Sequence, residues 1–311
     1  MTAQIYSTHP QEICEDQYTE EPEAMTLCIA ATCTYQAKST LVLCRDWQVN
    51  KGTLITSDDA DKLREIEEGE SHCSILISGQ PTRADQLLNA CDPAIRGYMR
   101  ESNPADTDLH IDALLEGLRA ACRNVKRKLV NHFVSMTLNM DFEEFSKHGR
   151  EWLRESHYDD VWHEIRHLNL GAELLIALFD AEQYGQIVRV DLSGEVHWEN
   201  DYSTIGTGSD IAQAFLCQNE MYDPDTITLG ACIYELLRAK FAAERSRDVG
   251  TGTSVDIIVG GAQKYSISDK GFKYFENKLR PYKIPKITFA EDFLEEDIPA
   301  KPEPNVDNDV S

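Results

Sequence analysis

Residues 1–24 (MTAQIYSTHPQEICEDQYTEEPEA) show no hydrophobic period and read as an acidic flexible arm or propeptide, and at Met25 the pattern changes abruptly. TLCIAATCTY and TLVLCRD are β-type runs joined by QAKS, which predicts a hairpin. The charged stretch DDADKLREIEEGE follows, and then SHCSILISG (71–79), whose apolar residues suit a central strand ending at Gly79. Helical spacing predicts helices over 82–100 and 109–138, the second with Leu114, Leu115, Leu118 and Ala121 on one face. Residues 139–168 continue as amphipathic, charge-rich helix. After Gly171 come ELLIALFD, GQIVRVD, an LSG turn and EVHWEND, all β-type. STIGTGSD opens a helix over 210–220, Asp223, Pro224 and Asp225 break the chain, and a helix over 226–244 precedes the runs SVDIIVGG and KYSIS.

The order ββ, β, αα, βββ, αα, ββ fits an α+β, four-layer αββα sandwich of two antiparallel sheets flanked by helix pairs better than a βαβ alternation. The expected organisation is an arm over 1–24, one domain over 25–280 with a helical insertion at about 139–168, and an acidic, Pro-rich disordered tail over 281–311.

Composition narrows the function. With 41% hydrophobic residues among 311, the chain can bury a core. Lys and Arg number 30 against 54 Asp and Glu, and a net charge of -24 repels phosphate backbones and anionic lipid. Neither nucleic acid nor a membrane surface is therefore an expected partner. More than half of that charge sits in the ends, because residues 1–24 hold six acids and no base and residues 291–311 hold eight acids and Lys301. No apolar stretch approaches the roughly 18 residues of a membrane span, and the start lacks the basic and apolar regions of a signal peptide, so the reading is a cytoplasmic protein. The nine cysteines include no CxxC pair and several lie in apolar runs, which suits buried reduced thiols rather than disulfides or zinc. No cofactor is implied.

Candidate chemistry is spread over five segments. MTLCIAA is a first strand preceded by a threonine. In CRDWQVNKGTLITSDDADKL, Asp46 and Lys62 stand 16 residues apart with Gly52 between them. ILISG ends at Gly79, IGTGSDIAQAF carries a G-x-G-S helix start, and RDVGTG completes the series. No single piece is specific; GTGS alone, for example, lacks the third glycine of a dinucleotide fingerprint. In this order the five resemble the β-type subunits of the proteasome family and their bacterial relatives, which are N-terminal nucleophile hydrolases. The resemblance spans about residues 25–265.

That resemblance implies peptide-bond hydrolysis, with Thr26 as nucleophile and its own free α-amine as base. Lys62 would supply a buried cation that favours the alkoxide and lowers the pKa of the amine, and Asp46 would pair with Lys62. Ser209, Asp248 and Thr251 would support the amine, Thr251 standing where the family more usually has serine. The backbone N–H of Gly79 would stabilise the oxyanion, a contribution of roughly 3 kcal/mol in comparable sites. Family register places Val49, Ala60 and Ile77 along the substrate pocket. The resemblance further implies a homo-oligomeric ring or stacked array acting on peptides or unfolded protein, with an ATPase unfoldase as a further partner.

Two departures from the family pattern stand out. Thr26 precedes Asp46 by 20 residues, four more than the family norm, which a first hairpin longer by two residues per strand would absorb without changing the pairing face. Thr26 also follows Met25 rather than the usual glycine and is internal to this chain. The competing expectation is thus a non-catalytic assembly subunit whose threonine stays internal. A second motif, His163-Glu164-Ile165-Arg166-His167, is a literal HExxH, with Glu173 nearby in sequence as a third ligand for zinc. The alternative reading is a charged helix packed through Trp152 and Trp162.

Overall fold

The computed structural model describes residues 26–46, 49–51, 54–57, 62–69, 71–100, 107–218, 223–245, 249, 252–261, 263–279 and 294–296. The strands are β1 (Cys28–Tyr35), β2 (Lys38–Arg45), β3 (Val49–Lys51), β4 (Leu54–Ser57), β5 (Leu63–Glu68) and β6 (Ser71–Gly79). Four helices follow, α1 (Pro81–Arg100), α2 (Thr107–Leu138), α3 (Phe142–Trp152) and α4 (Glu155–His167). The chain continues through β7 (Ala172–Phe179), β8 (Gly185–Val190), β9 (Val196–Glu199), β10 (Tyr202–Ile205), α5 (Ser209–Cys217) and α6 (Leu229–Glu244). It ends with β11 (Ser254–Val259), β12 (Gln263–Ile267), α7 (Asp269–Leu279) and β13 (Leu294–Glu296).

The strands form two antiparallel sheets, ordered β10-β1-β2-β11-β12-β13 and β5-β6-β7-β8-β9, with β3 and β4 as a separate hairpin. Strand alternation builds the layers. Cys28, Ala30, Leu41 and Leu43 of the first sheet meet Leu76, Leu175, Ala177 and Ile187 of the second. The opposite-facing Ile29, Ala31, Val42 and Cys44 pack on α5 and α6 through Leu216, Ile233 and Leu237. On the other side, Ile75, Leu174, Ile176 and Leu178 pack on α1 and α2 through Leu87, Ile95 and Leu118. Central strands buried on both faces read as continuous apolar runs, and this is why they were visible in the sequence. The expected αββα sandwich is the observed architecture.

The β1–β2 hairpin runs in register from Cys28 opposite Arg45 to Tyr35 opposite Lys38. Gln36 and Ala37 close it at φ 51° and 60°, the left-handed pair that matches the twist of two antiparallel strands.

Helix α2 has 32 residues, about 48 Å at helical rise, and its end reaches past the sandwich. There Val130 and Val134 share a separate small core with Phe145, Val161 and Ile165. The helical insertion expected over about 139–168 consists of two helices. Asp141 caps α3 by accepting the Glu144 N–H at 2.8 Å, and α3 ends at Trp152. Trp162 packs in this core as expected, whereas Trp152 is 58% exposed and stacks on His148.

Besides the short β3–β4 hairpin, four further elements escaped the sequence reading. In β5 only Ile66 of LREIEE is fully buried, so the edge strand reads as a charged linker. Strand β10 is only four residues long, and α7 follows KYSIS directly. Within the segment expected to be a disordered tail, Leu294–Glu296 pair with β12 as β13. The expected arm over 1–24 and the rest of the expected tail lie outside the described residues. Among the described residues no helix is long and apolar enough to cross a membrane. Cys28, Cys33, Cys44, Cys73, Cys91, Cys122 and Cys232 are buried, Cys217 is exposed, and among the described residues these eight form no disulfide.

Candidate active site

Thr26 leads into β1 and is 1% exposed. Its carbonyl is enclosed by the turn between β10 and α5. The Gly208 N–H donates to it at 3.4 Å, and Gly206, at φ +96°, approaches so closely that a Cβ there would lie 2.2 Å from the Thr26 oxygen. Gly208 is equally tight, because its Cβ would meet Val249 Cγ2 at 2.3 Å. The two glycines of the G-x-G-S segment are thus required by close approach to the neighbouring chain. Ser209 begins α5, its N–H donating to the Gly206 carbonyl at 2.9 Å and its own carbonyl accepting from Thr204 Oγ1.

Asp46 follows β2, and its N–H donates to the Leu27 carbonyl at 3.3 Å, which brings it beside the Thr26 end of β1. Its carboxylate forms a buried ion pair with Lys62 Nζ. Lys62 is fixed through its backbone, its carbonyl accepting the Ile77 N–H at 2.9 Å. Burial pushes the Asp46 carboxyl above its ordinary range, and the charges of Lys62 and, more weakly, Lys240 pull it back. Strand β6 then ends at Gly79, whose φ of +101° and crowding explain the residue type. A Cβ there would lie 2.5 Å from the Gly171 carbonyl oxygen and 2.7 Å from the Ala172 Cα, so the backbone leading into β7 already forbids a side chain. Ile77 is half-buried two residues earlier and packs toward α1 and α2.

Five of the sequence-predicted site residues, Thr26, Asp46, Lys62, Gly79 and Ser209, therefore stand on the ends and flanking turns of β1, β2, β5, β6 and α5, linked by short backbone bonds. Asp248, Thr251 and Ala60 lie outside the described residues, as does the side chain of Val49. The zinc reading does not gather its ligands. His163, Glu164 and His167 are exposed on α4, whereas Glu173 is turned inward on β7 and accepts the Gly206 N–H at 2.9 Å.

The sequence reading missed Lys240, and it named Glu173 only as a third zinc ligand. Glu173 is paired across strands with Ser78, beside Gly79, and burial pushes its carboxyl above the ordinary range. Lys240 is fully buried on α6. Each is a charged residue inside an apolar run, ELLIALFD and LGACIYELLRAKFAAE, and that mismatch was the available signal. The Cys28 thiol donates to the Ile77 carbonyl at 3.7 Å, and burial pushes its pKa far up, so it offers no competing nucleophile.

Comparison with known proteins bears on the sequence pattern and the fold. Residues 163–259 match the family model described as proteasome subunit. No curated protein matches the chain in sequence. Among solved structures, an Anbu mutant from Hyphomicrobium sp. strain MC1 superposes with a TM-score of 0.50 at 12% identity, covering 82% of this chain and 92% of that one. Anbu, the ancestral beta-subunit, from Yersinia bercovieri gives a TM-score of 0.50 at 15% identity with the same coverage of both chains. Eukaryotic HslV from Trypanosoma brucei is similar over 75% of this chain and 99% of its own, at 17% identity and a TM-score of 0.44. Residues 163–259 thus carry the proteasome-subunit sequence pattern, and the chain has the fold of the two Anbu structures.

Proposed function

We propose that the chain is a threonine-type endopeptidase of a self-compartmentalising, proteasome-like assembly. The observation that supports this reading is the buried Asp46–Lys62 pair, with Asp46 hydrogen-bonded to Leu27 next to the buried Thr26 and Lys62 hydrogen-bonded to Ile77, two residues before the left-handed Gly79. Once its α-amine is freed, Thr26 attacks the scissile carbonyl through Oγ, and the amine accepts the hydroxyl proton. The Gly79 N–H stabilises the oxyanion. The amine then passes its proton to the leaving peptide amine, and water hydrolyses the resulting ester to regenerate Thr26. Lys62 keeps positive charge beside the nucleophile and holds the amine in its neutral form, with Asp46 fixing the lysine. Ser209, Asp248 and Thr251 support the amine, and copies of the chain assemble so that these sites face an enclosed space.

The test has two parts. Intact mass and N-terminal sequencing of protein purified from its native host should find Thr26 as the first residue, and Met1 or Ala3 on every molecule would remove the reading. Protein beginning at Thr26 should hydrolyse fluorogenic peptides, whereas the full chain should not.

A further inference from the structure

The HExxH segment is a motif that the proposed peptidase chemistry leaves unused. It fails as a three-ligand zinc site because Glu173 belongs to β7, but its two imidazoles do stand together. The His163 and His167 rings lie with centroids 4.3 Å apart and planes tilted by 49°. Both are exposed, on the face of α4 opposite Val161 and Ile165, which are buried in the small core with Phe145. The buried face anchors the helix, and the other face presents the two rings one turn apart. Their nitrogens are not engaged elsewhere. His72, His148 and His197 each lie against a carboxylate, of Glu65, Glu151 and Asp191 respectively. Among the described residues, by contrast, neither His163 nor His167 makes a hydrogen bond or an ion pair. The end of α2 together with α3 and α4 also holds five of the chain's nine histidines, His132, His148, His157, His163 and His167, a bias of composition that accompanies metal binding.

We propose that His163 and His167 form a two-imidazole site for a late first-row divalent ion, Ni²⁺, Cu²⁺ or Zn²⁺, which clamps the last turn of α4 and keeps water in its remaining positions. Imidazole nitrogen suits these metals, whereas Mg²⁺ and Ca²⁺ take oxygen ligands. Nitrogens bound at about 2.0–2.1 Å to a tetrahedral ion lie about 3.3 Å from each other, so rings already in contact need only turn to chelate it. Asp159 and Asp160, exposed one turn before His163, add negative charge on the approach to the ion. Glu164 directly follows His163 and so points to another side of the helix. The clamp acts where it is needed, because the final carbonyls of a helix have no partners within it. The site belongs to the insertion and supplies no chemistry to Thr26.

The test reads binding and does not depend on peptidase activity. The full chain, stripped of metal by a chelator that is then removed, is titrated with NiCl₂ by calorimetry. His163→Ala and His167→Ala should each weaken Ni²⁺ binding at this site at least about tenfold, the loss that even removing a hydrogen-bond partner from a metal ligand causes. His157→Ala, on the same helix, should leave the titration unchanged. Glu164→His with His167→Ala keeps the number of histidines on α4 but sets two of them side by side, where they do not face each other, and should bind as weakly as His167→Ala. All these positions are exposed, and circular dichroism checks that each variant keeps its helical content. Mg²⁺ in large excess should not displace Ni²⁺ from the wild type. Equal binding by wild type and both alanine variants, or recovery of binding in Glu164→His with His167→Ala, overturns the proposal, and displacement by Mg²⁺ overturns the class of ion.

Discussion

Glu173 on β7 accepts the Gly206 N–H at 2.9 Å, and this bond ties the second sheet to the turn that encloses the carbonyl of Thr26. The two sheets also meet here through apolar contact and a long bond from the Cys28 thiol to the Ile77 carbonyl, both of which resist sliding weakly. A directional bond to a half-buried carboxylate fixes the turn against β6 and β7, and thereby against Gly79.

Glu173 gives the first prediction. Its folded pKa lies above the ordinary range because burial outweighs the Gly206 bond, so the folded state holds its proton more tightly than the unfolded chain. By linkage its contribution to stability then falls as pH rises from the unfolded value through the folded one. Glu173→Gln keeps an acceptor for Gly206 and removes this dependence. Thermal melts should therefore show the glutamine variant gaining relative to wild type between pH 4 and pH 7.5. Glu173→Ala leaves a buried N–H without its acceptor and should cost about 1–3 kcal/mol at either pH.

Gly206→Ala should be more damaging than its left-handed backbone alone requires. Gly69 is also left-handed, at φ +63°, but nothing lies within 4 Å of the space that a Cβ would take there. Gly69→Ala should therefore cost only backbone strain, about 1 kcal/mol. Gly206→Ala adds a clash with the Thr26 carbonyl, which must be relieved by moving Thr26 or the turn. Denaturant unfolding should place it below Gly69→Ala, and peptide hydrolysis should be lost in Gly206→Ala while Gly69→Ala retains it.

Lys62→Ala tests the cation directly. The change leaves Asp46 without its main partner in a buried site, a loss of about 3–5 kcal/mol, so the melt must be compared before turnover is judged. Lys62→Met with Asp46→Asn removes both charges at similar volume and should recover much of the stability without recovering activity. Peptide hydrolysis in folded Lys62→Ala would overturn the mechanism. Zinc chelators should leave wild-type hydrolysis unchanged, and inhibition by them would return attention to His163 and His167.

Much of this was legible in the sequence for a specific physical reason. Strands such as β1, β2, β6 and β7 are buried on both faces, so their apolar runs are long and unmistakable, and site residues hang from their ends. The family resemblance could be laid on Thr26, Asp46 and Gly79 because each sits next to such a run, and on Lys62 because its spacing from Asp46 matches the family's. Edge strand β5, with one fully buried side chain, has no such signature. Glu173 and Lys240 were hidden differently, because their importance comes from contacts with Gly206 and Gly252, 33 and 12 residues away. Periodicity reports which face a residue takes and carries no information about those partners. In the HExxH segment the reading as a charged helix agrees with α4, whose two imidazoles lie in solvent while Glu173 is turned inward on β7.

The last prediction concerns specificity, and it follows from the residues that family register assigns to the substrate pocket. Val49 stands three residues after Asp46, Ala60 two before Lys62, and Ile77 two before Gly79. None carries a charge, so a basic or acidic side chain on the acyl side of the scissile bond would be buried without a partner, at a cost of several kcal/mol. All three are of modest size, which leaves room for a leucine-like or aromatic side chain, and burying one contributes about 1.5–3 kcal/mol. Protein beginning at Thr26 should therefore prefer apolar over charged residues at that position by at least tenfold in kcat/KM. Fluorogenic peptides differing there alone measure the preference. Ile77→Asp should lower hydrolysis of the leucine peptide more than that of the arginine peptide, because the new carboxylate gives arginine a partner. A wild-type preference for arginine or aspartate would show that the register through Val49, Ala60 and Ile77 is wrong, while leaving the assignment of Thr26, Asp46 and Lys62 to the Lys62 variants above.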